Sequence, residues 1–81
     1  MRWTLHYDPE VTAYLYSLRD EGEAVRQAIR DLGTNPLPEG SWQLPDRPNM
    51  YEFEIRGFWL TYAIDEANKI VYMLEVERLA D

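Results

Sequence analysis

The chain has 81 residues, of which 46% are hydrophobic, 14% aromatic and 28% charged, and it contains no cysteine. That is the composition of one small globular domain, and it excludes a disulfide framework, an iron–sulfur cluster and a thiolate zinc site. Eight basic side chains against fifteen acidic ones leave a formal charge of −7, spread over both halves, so the long-range field repels polyanions and free duplex DNA is an unsuitable partner.

No apolar run approaches the roughly 18 residues needed to span a bilayer. The opening Met1–Asp8 segment also lacks the apolar core of a secretory signal, so the expectation is a cytoplasmic protein with no membrane partner. Trp3, Leu5 and Tyr7 alternate with Arg2, Thr4 and His6, a period of two that predicts a half-buried strand over Met1–Tyr7. A helix start follows. Asp8 can cap the free amides of the first turn, Pro9 lacks the donor that would be orphaned there, and Glu10 suits the positive end of the helix dipole.

Val11, Tyr14, Leu15 and Leu18 fall on one helical stripe. The pattern breaks at Asp20-Glu21-Gly22 and restarts with Ala24, Val25, Ala28, Ile29 and Leu32, which predicts a helical hairpin ended by a left-handed Gly33. Thr34–Ser41 is loop by composition, and Trp42, Leu44, Pro45 and Pro48 continue it as extended chain rather than regular strand.

From Met50 onward Tyr51, Phe53 and Ile55 alternate with Glu52, Glu54 and Arg56. If Arg56-Gly57 is a two-residue turn, Ile55 faces Phe58, Phe53 faces Leu60 and Tyr51 faces Tyr62. A second reversal through Asp65–Lys69 predicts that Ile64 meets Ile70, Tyr62 meets Tyr72, Leu60 meets Leu74 and Phe58 meets Val76. The predicted fold is α+β: an N-terminal strand, a helical hairpin and a three-stranded antiparallel meander, with both helices on one face of the sheet. The opposite face then carries Glu52, Glu54, Trp59, Thr61, Ala63, Val71, Met73, Glu75 and Glu77, with Trp59 between Glu54 and Glu75. No helical stripe remains to cover it.

This order of elements resembles the RelE/ParE family of toxins from bacterial toxin–antitoxin modules. The resemblance is carried by Tyr7-Asp8-Pro9-Glu10-Val11, Ala28–Leu32, Asn35-Pro36, Gly40, Leu44, Tyr51–Gly57, Tyr62–Asp65 and Val71–Arg78. It implies a single domain over residues 1–81, a growth inhibitor held by a cognate antitoxin. Its action would be ribosome-dependent mRNA cleavage or, as the alternative, non-enzymatic binding of a protein such as DNA gyrase. A nuclease of this kind uses neither metal nor cofactor. Basic side chains on the open sheet face orient the RNA and stabilise charge at the scissile phosphate, with the ribosome and mRNA as partners.

Carried over residue by residue, the resemblance assigns phosphate contact to Arg56, ahead of the hairpin glycine, and to Arg78, after the last strand. It also exposes departures. Glu77 stands where a histidine is common, Glu52 and Glu54 stand at positions that often carry arginine, and the sequence given ends at Asp81 ahead of the family's terminal tyrosine. Exchanging a cation for a glutamate reverses the sign of its interaction with phosphate. The binding alternative therefore assigns Trp59, Glu54, Glu75 and Thr61 to a docking surface for a basic segment. A divalent-cation site at Glu52, Glu54 and Glu75 is a third reading. Each residue also has a plainer role: strand-end ion pair for Arg78, solvated turn residue for Arg56, shielded edge residue for Trp59, solubilising row for the glutamates. His6, titratable near neutrality, sits on the polar side of its strand and suits either a proton carrier or a structural role.

Overall fold

A computed structural model describes residues 2–79; Met1, where the first strand was expected to begin, and residues 80–81 lie outside them. The elements are β1 (Thr4–Tyr7), α1 (Pro9–Leu18), a 3₁₀ turn (Arg19–Gly22), α2 (Glu23–Leu32), β2 (Trp42–Leu44), β3 (Arg47–Ile55), β4 (Phe58–Asp65) and β5 (Ile70–Arg78). They build one mixed five-stranded sheet in the order β1-β5-β4-β3-β2. β1 runs parallel to β5, and the other pairs are antiparallel.

The helix start forms as its residues dictate. The Asp8 carboxylate accepts the Glu10 amide at 2.9 Å, and Pro9 occupies the first helical position. The α1 C-terminus is closed by a side chain from the second helix: the Arg26 guanidinium donates to the Leu15 carbonyl at 2.9 Å and to the Arg19 carbonyl. These are acceptors a helix end leaves without an intrahelical donor. Gly33 ends α2 with φ −68°, not in the left-handed region. A glycine is useful there for close approach instead, since an added Cβ would lie 3.2 Å from the Arg30 carbonyl and 3.4 Å from that of Trp3, whose amide donates to Gly33 O at 2.7 Å.

Both helices pack on one face. Val11, Leu15 and Leu18 of α1 and Val25, Ile29 and Leu32 of α2 share a core with Phe58, Leu60, Tyr62, Ile64, Val71, Met73 and Val76. The β3–β4 hairpin has the expected register, with Tyr51↔Tyr62, Phe53↔Leu60 and Ile55↔Phe58. Its turn places Arg56 at φ 52° and Gly57 at φ 82°, the doubly positive pair that matches the twist of the flanking strands. The sheet edge differs from expectation. Trp42–Leu44 is a short strand rather than unpaired extended chain, because β3 begins at Arg47 and gives it a partner; the side-chain amide of Gln43 also donates to the Pro48 carbonyl.

The β4–β5 register differs from expectation. Asp65 pairs Ile70, so the turn is one residue shorter at its start, and Ile64, Ala63 and Tyr62 face Val71, Tyr72 and Met73. A bulge at Leu74, between the Thr61 and Tyr62 pairings, then moves the register one residue further and restores the expected parity, so that Leu60 faces Val76 rather than Leu74 and Phe58 faces Arg78 rather than Val76. Val71 and Met73 are accordingly fully buried in the core, while Leu74 is 39% exposed. Tyr72 leaves the core face and packs edge-on against His6, ring centroids 5.3 Å apart.

Candidate functional surface

The face away from the helices is built by alternation. On β3 it presents Glu52 and Glu54, on β4 Trp59, Thr61 and Ala63, on β5 Tyr72, Glu75 and Glu77, and on β1 His6. Two rows cross the sheet at its centre: Glu54, Trp59, Glu77 and, one step along, Glu52, Thr61, Glu75. Trp59 therefore lies between Glu54 and Glu77, not Glu54 and Glu75, because the shorter turn and the Leu74 bulge each advance β5 by one residue. The expected quartet of glutamates is present, but Val71 and Met73 have left the face for the core.

One residue outside the expected set joins them. Trp42 on the edge strand pairs with Glu52, and its ring meets that of Trp59 edge-on with centroids 5.0 Å apart. Both indoles donate to the one carboxylate, Trp42 Nε1 to Glu52 Oε1 at 3.2 Å and Trp59 Nε1 to Oε2 at 3.0 Å. Glu52 thereby fixes two aromatic rings by their polar edges. The alternation of Trp42-Gln43-Leu44 was the available signal, but three residues followed at once by Pro45 do not identify a strand without its partner.

The two arginines assigned by resemblance occupy one end of the sheet. The Leu79 amide donates to Gly57 O at 2.9 Å, which brings the end of β5 beside the turn that carries Arg56. They differ in surroundings. Arg56 is exposed in the turn and, among the described residues, is in no ion pair. Arg78 pairs with buried Phe58 and so lies on the helix side, where its guanidinium contacts Glu21 at 2.7 Å and covers the Phe58 ring at 5.0 Å. The hydrogen bond to Glu21, with a further one to Tyr14, raises its pKa above the ordinary guanidinium value. Glu54, Thr61 and Trp59 do share the open face; Glu75 shares it across Thr61.

A groove of about 810 Å³ lies on the helix side between β1, α1 and α2, and its basic lining is Arg19, Arg26 and Arg30. Arg26 is committed to main-chain carbonyls, and Arg30 to Glu23 at 3.2 Å and Gln27 at 2.8 Å. Tyr7, one of its two tyrosines, has a raised pKa because burial outweighs the opposing field of Arg30. The groove is thus largely occupied with holding the helical hairpin together. Among the described residues no three histidine or carboxylate side chains are grouped to hold a metal ion, and no helix is long and apolar enough to cross a membrane.

No protein-family model matches the chain, and no curated protein does. Solved structures do. The isolated RelE toxin of E. coli superposes with a TM-score of 0.82 at 18% identity, over 98% of this chain and 86% of that one. The toxin–antitoxin complex RelBE2 of Mycobacterium tuberculosis gives 0.77 at 20% identity, over 96% and 99%. The archaeal RelE–RelB complex of Pyrococcus horikoshii OT3 gives 0.82 at 15%, over 96% of each chain. The chain has the RelE toxin fold, α+β with both helices on one side of the sheet.

Proposed function

We propose that this chain is the growth-inhibiting member of a toxin–antitoxin pair, bound by a cognate antitoxin, and that it acts by engaging a protein target rather than by cutting RNA. The fold supports the first part, since two of the similar structures are complexes with an antitoxin. One observation carries the second: the open face presents Glu52, Glu54, Glu75 and Glu77 around Trp59, while Arg78 is turned to the helix side and held by Glu21. Cleavage of a phosphodiester needs cations where charge develops on the phosphate, and four carboxylates there raise that barrier. Induced expression should arrest growth, co-expression of the neighbouring open reading frame should restore it, and transcripts should stay intact. Growth that continues under strong induction would reject the toxin assignment.

A second reading, ribosome-dependent mRNA cleavage, is favoured by the placement of Arg56 and Arg78 at one sheet end through the Leu79–Gly57 hydrogen bond. In that case transcripts are cut at codons only when ribosomes are present, and Arg56→Ala and Arg78→Ala each abolish both cutting and arrest. Arrest that persists in both variants removes the arginines from the mechanism.

A further inference from the structure

We infer that the open sheet face around Trp42 and Trp59 is the docking site for a lysine- or arginine-bearing segment of a partner protein, with a cationic side chain set over the indoles between Glu54 and Glu77. The inference deepens the protein-binding reading above and rests on it.

The argument begins with what covers this face: among the described residues, nothing does, since both helices lie on the other side. A tryptophan pair is left half-buried and half-exposed, with Trp42 at 44%. Because both N–H groups are spent on Glu52, the rings are held in place before any partner arrives, and what they offer is π-surface. Such a surface attracts ammonium and guanidinium groups, most strongly at tryptophan. Rigid, pre-positioned aromatic anchors also lose little entropy on binding.

Charge identifies the occupant. The ion pairs of the described chain join Arg26 and Arg30 to Glu23 and Arg78 to Glu21, all on the helix side. None includes Glu52, Glu54, Glu75 or Glu77. Neighbouring strands lie about 4.8 Å apart, so Glu54 and Glu77, two strands apart across Trp59, stand about 10 Å from each other at the backbone. That spacing admits one long cationic side chain above the ring with a carboxylate on each flank. Further along, Ala63, Tyr72 and His6 extend the same face, so the surface is a strip with aromatic rings at both ends rather than a point site. A strip suits a peptide segment better than a small cation.

The test uses intact protein and a synthetic amphipathic lysine-bearing peptide, with a second peptide in which every lysine is glutamine, followed by tryptophan fluorescence. The lysine peptide should bind and perturb the emission, with affinity falling at least tenfold between 50 and 500 mM salt, on the order expected for several unscreened ion pairs. Glu54→Gln/Glu77→Gln, both exposed and nearly isosteric, should weaken it at least tenfold while circular dichroism stays unchanged. Equal binding of the glutamine peptide, no effect of the double variant, or equally tight binding of spermidine would each overturn the inference; spermidine would indicate a small-cation site. Toxicity is scored separately. Arrest without peptide binding rejects the docking site alone, and peptide binding without arrest rejects the toxin reading alone.

Discussion

Tyr62 is the residue on which most structural demands meet. It is fully buried, stacks on Tyr51 with centroids 5.9 Å apart, and donates its hydroxyl to the Pro36 carbonyl at 2.8 Å, which ties the loop after α2 to the sheet. Tyr62→Phe keeps the packing but strands that carbonyl, so urea denaturation should show a loss of about 1–2 kcal/mol. Burial, opposed by the Ser41 hydroxyl and reinforced by Tyr51, pushes its pKa up to about 12 from the ordinary phenol value of 10.0. The folded state thus favours the neutral phenol. Its contribution is complete below pH 10 and is lost as pH rises through about 12, so alkaline unfolding should begin in that window and move higher in Tyr62→Phe. Arg26 is the second such residue. Arg26→Ala removes the donors to the α1 carbonyls and should lower stability by about 1–2 kcal/mol, an effect that charge screening alone would not reproduce.

Among the elements, β5 decides which side chains reach which face. Its bulge at Leu74 converts a strand that begins with Val71 and Met73 inward into one that continues with Val76 inward, so two consecutive residues, Leu74 and Glu75, escape the core. Leu74→Gln should therefore be nearly neutral, within about 0.5 kcal/mol, as for surface positions generally. Met73→Ala should cost about 2–4 kcal/mol by opening a cavity. Paired thermal melts of the two variants check the assignment, and a large loss in Leu74→Gln would contradict the bulge. The β3–β4 turn makes a comparable claim. Gly57 at φ 82° tolerates no Cβ without strain, so Gly57→Ala should destabilise by about 1 kcal/mol, whereas Arg56→Ala at φ 52° exchanges one L-residue for another and should leave stability nearly unchanged. That separation makes Arg56→Ala a clean probe of function.

For the whole molecule, charge is segregated: Arg26, Arg30 and Arg78 on the helix side are paired, and the open face carries carboxylates without ion-pair partners among the described residues. With a formal charge of −7, self-repulsion opposes compaction and salt relieves it. The melting temperature should rise between 20 and 300 mM NaCl, and rise less in Glu54→Gln/Glu77→Gln. A melting temperature that falls with salt would mean that ion pairs, not repulsion, dominate the electrostatics.

The alternation in Tyr51–Ile55 and Phe58–Ile64, the Asp8-Pro9 helix start and the Arg56-Gly57 turn were legible because each is a local pattern: period, cap and tight reversal depend on residues a few positions apart. Glu52, Glu54 and Trp59 on one face followed from that parity. What local pattern could not supply was the pairing of β5, where a shorter turn and a bulge each shift parity by one and cancel from Thr61↔Glu75 onward. Nor could it supply the strand role of Trp42, or the helix-side position of Arg78. Those are set by partners distant in the chain: β3 for Trp42, and Glu21 and Phe58 for Arg78. Periodicity specifies which side of an element is apolar, but only the packed sheet decides what each side meets.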